Sequence, residues 1–190
     1  THDHSDKIGL DFGCGTGRNV LNLIDKFKRM DGVDISPGLI VQAEQRVRAA
    51  GYGPEKSLLH VCDGVSLTGL SDCEYDFVMS TITLQHICVH EIRYNYMSEF
   101  FRVMKPGATL SFQMMIKNDR TPTTTDKHVT TLRGYYDNDY AAGETNGNAD
   151  VVVKSPDELT KDLANIGFAG IEHVVKPAGM GYTITDWIYT

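Results

Sequence analysis

The stretch of residues 8–17, which reads IGLDFGCGTG, constrains the fold more than any other part of the chain. It begins as a short apolar strand, reaches an acid at Asp11, and continues into a loop in which every second residue from 13 to 17 is glycine. A segment with helical character follows, from Asn19 to Lys28. Glycines at a strand-to-helix turn allow backbone conformations closed to other residues and let a ligand approach closely. The pattern therefore predicts an α/β unit with a ligand-binding loop.

The acid at Asp11 and the spacing of the glycines narrow the choice of ligand. A carboxylate at the end of the strand repels a pyrophosphate and favours a ligand that carries a positive charge. A dinucleotide fingerprint requires G-x-G-x-x-G/A, but its last position holds Arg18 when counted from Gly13 and Val20 when counted from Gly15. A nicotinamide oxidoreductase is therefore disfavoured, whereas a plain tight turn stays open for the loop considered alone.

Four more strand-like segments follow the first, and three of them end at polar residues. The second runs from Met30 to Asp34, which lies about 20 residues past the glycine loop, where α/β nucleotide sites place the carboxylate that binds the ribose. The third ends at Asp63 and the fourth at Ser80. A helix end, a Pro-Gly turn at residues 106–107 and a fifth strand complete the series.

In this order and spacing, the segments resemble the motif series of the class I S-adenosylmethionine-dependent methyltransferases, and D-x-G-x-G-x-G is similar to the first motif of that family. The resemblance covers residues 7–116, weakens over 155–190 and fails over 117–148, so we interpret about 117–150 as a variable insertion in a single domain over 1–190. It implies a Rossmann-like three-layer α/β sandwich with a seven-stranded, mostly parallel sheet and an antiparallel last strand. We expect the N-terminal cap helices that family members usually carry to be absent.

The helical segments agree with this architecture because they alternate with the strands, which indicates a mostly parallel sheet. Ser36 is predicted to be the N-cap of a helix that runs from about Gly38 to Ala50. Gly51, directly after it, is a residue type that commonly ends helices. Further helices are predicted from about Val89 to Met104 and from a capping box at Ser155 to Ile166. Two strands, at about 171–175 and 182–189, would close the sheet.

The resemblance implies S-adenosylmethionine as cofactor and S-adenosylhomocysteine as product. Asp11 would attract the ammonium group of the cofactor, and Asp34 would accept hydrogen bonds from both ribose hydroxyls. Ile35 would lie against the adenine, Asp63 would accept from its amino group, and Arg18 would contact the carboxylate of the cofactor. The other predicted cofactor residues act through their backbone: Gly13, Cys14, Gly15, Gly64, Val65, Ser80 and Thr81.

Three of these residues also have a structural interpretation. Asp34 could serve only to precede a helix N-cap, where acids are favoured. Asp63 and Gly64 could form a plain turn. Arg18 could be an exposed residue in the first turn of a helix.

The acceptor side depends on the segment after the fourth strand and on the insertion. His86 is the candidate general base because histidine titrates near neutral pH, although it could instead pack or hydrogen-bond. Gln85 could contact the cofactor or the acceptor. Tyr135 and Tyr136 could stack on a flat or cationic acceptor, if the insertion is a lid rather than a surface loop.

Composition excludes several other classes. The formal net charge of −7 argues against a nucleic-acid backbone as the main partner. No stretch is long and apolar enough to span a bilayer. The 4 cysteines form no C-x-x-C pair, which favours reduced thiols in the cytoplasm. The histidines show no metal-ligand spacing with carboxylates or thiols, so we expect no metal.

These observations predict methyl transfer from S-adenosylmethionine to a small-molecule acceptor through oxygen, nitrogen or carbon. The segment after the fourth strand lacks the N-P-P-[YFW]-like run of many methyltransferases that act on nucleobase or glutamine amino groups, and reads STIT instead. Two alternatives remain: a methyltransferase for protein or RNA, and a non-catalytic or regulatory module that binds the cofactor. The sequence leaves the oligomeric state open.

Overall fold

The computed structural model describes residues 4–87, 90–116, 152–153, 156–177 and 183–189. The chain packs into two compact units, one of Thr1–Thr81 with Arg102–Leu110 and one of Ile82–Phe101 with Ser111–Thr190. Within the described residues, no helix combines the length and the apolar character that crossing a bilayer requires.

The first unit is built on a parallel sheet with strand order β3-β2-β1-β4-β5. Strand β1 pairs in parallel with β2 and with β4, and β2 pairs in parallel with β3. This confirms the predicted Rossmann-like α/β fold with a parallel sheet. Its elements are β1 (His4–Phe12), α1 (Arg18–Leu23), β2 (Phe27–Asp34), α2 (Pro37–Ala49), β3 (Leu59–Val61), β4 (Tyr75–Ser80) and the first part of β5 (Met104–Ile116).

The strand register brings the predicted acids to one edge of this sheet. Asp11 is aligned with Gly32 of β2 and with Met79 of β4. Asp34 is aligned with Val61 of β3. Because the strands are parallel, their carboxyl ends lie side by side, where open α/β sheets bind ligands.

An apolar cluster fixes α1 and α2 against the sheet. Its buried side chains are Cys14, Val20, Ile24, Phe27, Met30, Ile40 and Val47. Full burial of one such large apolar side chain contributes roughly 1.5–3 kcal/mol to folding. The cluster therefore holds in place the loops that connect β1 to α1 and β2 to α2.

Several predicted boundaries in this unit were wrong. Strand β3 ends at Val61 rather than at Asp63, because the Asp63 carboxylate accepts from the N–H groups of Val65 and Ser66 in the loop that follows. Helix α1 ends at Leu23 rather than at Lys28, because Phe27 is only 5% exposed and already belongs to β2. Burial of Phe27 outweighs the local helix propensity of the segment. The predicted Pro-Gly turn at 106–107 instead lies within β5, which begins at Met104 directly after helix α3 (His90–Val103).

The second unit contains a 3₁₀ turn (Leu84–His86), most of α3 (His90–Val103), the end of β5, β6 (Val152–Val153), α4 (Pro156–Ile166), β7 (Glu172–Pro177) and β8 (Thr183–Tyr189). Strand β6 pairs in parallel with the end of β5, and β7 pairs antiparallel with β8. Leu159 and Leu163 bury the apolar face of α4. The described residues thus form eight strands instead of the seven predicted, and the short β-branched pair Val152–Val153 makes up the difference.

Candidate functional site

The glycine loop after β1 takes a left-handed backbone at all three of its glycines. Gly13, Gly15 and Gly17 have φ of 73°, 53° and 77°. A Cβ placed on Gly17 would lie 3.2 Å from the Cβ of Ala43, whereas one placed on Gly15 would meet no protein atom within 4 Å. Gly17 therefore lets the loop pack on α2, and Gly15 faces open space in which a ligand can approach the backbone.

Asp11 lies at the end of β1 and is 1% exposed. Neither of its carboxylate oxygens has a hydrogen-bond partner. Burial raises the pKa of Asp11 to about 7; the neighbouring Asn19 side chain and Arg18 lower the pKa, and Asp34 raises it. The Asn19 side chain lies close enough to lower the pKa of Asp11, but it does not reach hydrogen-bond geometry with either carboxylate oxygen. A buried carboxyl group without a partner is unfavourable, so this position suits a ligand group that donates hydrogen bonds or carries positive charge.

Asp34, at the end of β2, accepts two backbone hydrogen bonds. Its Oδ2 accepts from the Gly15 N–H at 2.9 Å, and its Oδ1 accepts from the Ser36 N–H at 2.9 Å. Ser36 in turn caps α2, because its Oγ accepts from the Leu39 N–H at 3.4 Å. A carboxylate has about four acceptor sites, so each oxygen of Asp34 keeps capacity for one more donor. The structural interpretation of Asp34 and its predicted ribose contact are thus compatible.

An exposed apolar surface follows Asp34. Ile35 is 63% exposed, Val61 50% and Val65 47%. Gly64 has φ of 88°, and a Cβ on it would lie 2.8 Å from Cδ1 of Ile35. The Ile35 side chain therefore rests on the Gly64 backbone. This arrangement presents an apolar surface to which a flat ring could bind.

Asp63 is engaged within its own loop. Its Oδ1 accepts from the N–H groups of Val65 at 2.9 Å and Ser66 at 2.6 Å, and its Oδ2 accepts from Ser66 Oγ at 2.8 Å. The Val65 hydrogen bond is the main reason why the pKa of Asp63 is lowered. The Val65 backbone was predicted to contact the cofactor, but its N–H is thus directed at Asp63. A cleft of about 280 Å³ opens beside this loop, and Val61, Asp63 and Leu67 are part of its lining.

Ser80 and Cys14 bury their side chains near the same edge. Ser80 is 1% exposed and its Oγ has no hydrogen-bond partner. It follows Met79, which is aligned with Asp11, so two unpartnered polar groups lie on neighbouring strand ends. The Cys14 Sγ packs where a Cβ on Gly32 would lie, 2.8 Å away, and burial raises the pKa of Cys14. Cys14 can thus face a ligand with its backbone alone.

The sequence analysis missed two residues that shape this loop. Arg46 of α2 donates to the carbonyl oxygen of Thr16 at 2.9 Å and to its Oγ1 at 2.8 Å. Asn19 lies beside Asp11. Arg46 is 30 residues from Thr16, and no local pattern signals such a contact. Asn19 lies only two residues past Gly17, the last glycine of the loop, and this short distance could have suggested its role. Arg18, which was predicted to contact the cofactor, is exposed.

In the second unit, the predicted acceptor residues lie on the 3₁₀ turn Leu84–His86. Gln85 is 3% exposed and its Oε1 has no hydrogen-bond partner, while His86 is exposed. Ile82 has φ of 62° and is 45% exposed. A β-branched residue in this conformation is strained, and such strain concentrates at functional sites. Tyr135 and Tyr136 lie outside the described residues.

Among the residues that the structure describes, no three His, Cys, Asp or Glu side chains form a group that could hold a metal ion.

Comparisons with known proteins agree with this geometry. Residues 10–107 match the family described as a methyltransferase domain. A S-adenosyl-L-methionine-dependent Diels-Alderase of Talaromyces variabilis is 26% identical over 113 residues, which are 60% of this chain and 37% of that protein. The chain spans from 18% to 39% of the length of three curated relatives that it matches.

Two crystal structures share the fold. A S-adenosylmethionine-dependent methyltransferase of Methanosarcina mazei is 23% identical with a TM-score of 0.72, and the match covers 98% of this chain and 93% of that one. Phosphoethanolamine N-methyltransferase 2 of Haemonchus contortus, in complex with S-adenosyl-L-methionine, is 17% identical with a TM-score of 0.71, covering 98% of this chain and 49% of that one.

The fold and the family match define the class of this protein, an α/β methyltransferase domain of the kind that uses S-adenosylmethionine. The chain belongs to the methyltransferase-domain family, because the match spans its Asp11 loop, Asp34, Asp63 and the beginning of β5. The resemblance noted in the sequence is thereby confirmed.

Proposed function

We propose that this domain transfers a methyl group from S-adenosylmethionine to a small-molecule acceptor. The observation that carries the proposal is the Asp11 carboxyl group, which is buried beside the glycine loop without a hydrogen-bond partner. A cationic ammonium group placed there would supply the missing donor and favour the ionised form of Asp11. A dinucleotide pyrophosphate placed there would instead face a like charge.

The residues at the carboxyl edge fit the other parts of the cofactor. The free acceptor sites of Asp34 suit the two ribose hydroxyls, and the open space at Gly15 allows close approach. Ile35 and the Gly64 backbone suit the adenine ring, with the Gly64 N–H as donor to it in place of the Val65 N–H. Oδ2 of Asp63 keeps acceptor capacity for the adenine amino group, although Ser66 already uses part of it.

The chemistry requires little of the protein beyond positioning. The cofactor supplies a methyl group whose bond to a positively charged sulfur breaks as the acceptor atom attacks from the opposite side. Holding the reacting atoms in line accounts for much of the rate. An acceptor that must lose a proton needs a base, and His86 is the proposed one because its imidazole is exposed and histidine is the side chain used most often as a general base.

A small acceptor is favoured over a macromolecule. The net charge of −7 opposes binding to a nucleic-acid backbone. The Haemonchus contortus neighbour is named for methylation of phosphoethanolamine, a small molecule. Gln85, with its buried Oε1, is proposed to contact the acceptor, and the insertion at about 117–150 with Tyr135 and Tyr136 is proposed to cover it.

Titration calorimetry with S-adenosylmethionine, S-adenosylhomocysteine and oxidised nicotinamide dinucleotide tests the cofactor assignment. We expect micromolar binding of the first two and none of the third. Methyl-labelled S-adenosylmethionine is then incubated with the protein and with metabolite, RNA and protein fractions. Label in the metabolite fraction supports a small acceptor, and label confined to RNA or protein rejects it.

A second candidate is a domain that binds S-adenosylmethionine without transferring its methyl group. The similarity to a S-adenosyl-L-methionine-dependent Diels-Alderase favours it, since that name describes a ring-forming reaction. Conversion of a substrate without formation of S-adenosylhomocysteine would separate this candidate from a methyltransferase. For either function we propose the cytoplasm as the compartment, a choice supported by the free thiols of Cys14 and Cys73.

A further inference from the structure

A second cleft in the first unit lies away from the residues proposed for the cofactor. It opens between the second half of α2 and the beginning of β3 and has a volume of about 220 Å³. Its apolar lining consists of Val47, Tyr52, Pro54, Leu58 and Leu59. We call it the α2–β3 cleft. Asp63 and the rest of the cofactor loop follow the other end of β3. The cleft beside that loop shares His60 with the α2–β3 cleft, but their other lining residues differ, so we treat the α2–β3 cleft as a distinct site.

Ser57 gives this cleft an unsatisfied polar group. Ser57 is part of the lining, is 7% exposed, and its Oγ has no hydrogen-bond partner. Its backbone is fixed, because its N–H donates to the Gly53 carbonyl at 3.2 Å. Buried hydroxyl groups in folded proteins are normally hydrogen-bonded, so an unpartnered one in a cleft indicates a missing partner.

The charged groups of the α2–β3 cleft favour an uncharged ligand. Besides His60, the lining contains one acidic residue, Glu44, and one basic residue, Arg48. Their side chains are 41% and 77% exposed, and they approach each other at 3.5 Å, one helical turn apart. The two opposite charges cancel each other and are screened by solvent. The pair therefore adds little to the affinity for either an anionic or a cationic ligand.

We propose that the α2–β3 cleft binds a small, uncharged aromatic molecule that carries one hydrogen-bonding group. The ring lies against the apolar lining, next to Val47 and Tyr52, and the polar group bonds to Ser57 Oγ. Small-molecule sites have this composition, a mostly apolar lining with a few placed polar groups. The volume suits a single ring rather than a drug-sized ligand. The site does not depend on the proposed methyl transfer.

The test is an NMR titration of the full chain, labelled with nitrogen-15, with phenol as the probe. We expect the amide signals of residues 52–59 to shift with a dissociation constant of about 1 mM, as a ligand of this size allows. Toluene, which has the same shape without the hydroxyl, should bind about fivefold more weakly, the worth of one hydrogen bond. Benzoate and benzylammonium should also bind more weakly than phenol.

Ser57→Ala isolates the hydroxyl. We expect this variant to bind phenol about fivefold more weakly than the unchanged chain does. The variant should also bind phenol no more tightly than it binds toluene. Its melting temperature should be equal to or above that of the unchanged chain, since a buried unpartnered hydroxyl is lost. Ser71→Ala, at an exposed position outside the lining, is the matched control and should change neither quantity.

Three results would overturn the proposal. The first is the absence of shifts at residues 52–59 with any of the probes. The second is equal affinity for phenol and toluene. The third is a Ser57→Ala variant that melts lower while its phenol affinity stays the same, because Ser57 would then be structural.

Discussion

The Asp34 carboxylate accepts a hydrogen bond from the backbone N–H of Gly15 at 2.9 Å and so joins the end of β2 to the glycine loop. The same carboxylate holds the N–H of Ser36, where α2 begins. One side chain thus orders two of the loops at the carboxyl edge. A ligand that bonds to Asp34 would therefore meet a carboxylate whose orientation is already fixed.

Asp34→Ala is expected to weaken binding of S-adenosylhomocysteine by about 1.5–3 kcal/mol, the worth of hydrogen bonds to a charged group. Calorimetry measures the affinity, and thermal melting shows whether the variant folds. Asp6→Ala, at an exposed position of β1, is the control and should leave the affinity unchanged. A folded Asp34→Ala protein with normal affinity would remove Asp34 from the site.

The buried Asp11 predicts that the stability of the cofactor-free protein depends on pH. Its pKa is raised from 3.8 to about 7, so the folded state binds more protons than the unfolded state between these values. Stability therefore falls as the pH rises through this window. Asp11→Asn removes the penalty and should stabilise the protein at pH 8 by on the order of 3 kcal/mol, with little effect at pH 4. Denaturant unfolding at the two pH values measures it, and equal effects at both would contradict the assignment.

Asp11 should also make cofactor binding dependent on pH. The carboxyl group attracts the ammonium group when it is ionised, so affinity for S-adenosylhomocysteine should rise about tenfold between pH 6 and pH 8. Asp11→Asn should bind more weakly, and its affinity should not rise over this range. Calorimetry at several pH values gives both curves. Parallel curves for the two proteins would mean that another group titrates.

The sequence predicted the parts of this site that depend on local pattern. Asp11 and Asp34 each end a β-rich segment before a turn, and the parallel register then brings these ends together without further information. Glycine spacing predicted the loop because Gly13, Gly15 and Gly17 all need a left-handed backbone. Each of these features depends on residues that lie close together in the sequence.

Other features depend on contacts between distant segments, which a single sequence does not reveal. Burial of Phe27 shortens α1 and lengthens β2. Arg46 reaches Thr16 across 30 residues. Asp63 was predicted to end a strand, but β3 ends at Val61, and Ser66 and Val65 turn the Asp63 carboxylate toward its own loop. In each case, packing or a competing hydrogen bond decides between conformations that the local sequence permits.

Gly15 and Gly51 form a matched pair for testing where the ligand lies. Both have positive φ, 53° and 89°, and a Cβ on either meets no protein atom within 4 Å. Alanine should therefore cost about 1–2 kcal/mol of stability at both positions. We expect Gly15→Ala to lower the affinity for S-adenosylhomocysteine at least about tenfold, because the added methyl group occupies space that the ligand needs. Gly51→Ala should keep normal affinity. Similar affinities in the two variants, measured by calorimetry, would mean that no ligand approaches Gly15.

His86→Ala tests the proposed base. The imidazole is exposed, and most substitutions at exposed positions change stability little, so we expect normal folding and an affinity for S-adenosylhomocysteine within about twofold of the unchanged chain. The rate of methyl transfer to the acceptor found by the label screen should fall by about 10²–10⁴-fold, the usual worth of general-base catalysis. His173→Ala, at an exposed position of β7, is the control for loss of a histidine and should keep full activity. If His86→Ala transfers methyl groups at the normal rate, no base is required at this position, and an acceptor that attacks without losing a proton to the protein becomes the better assignment.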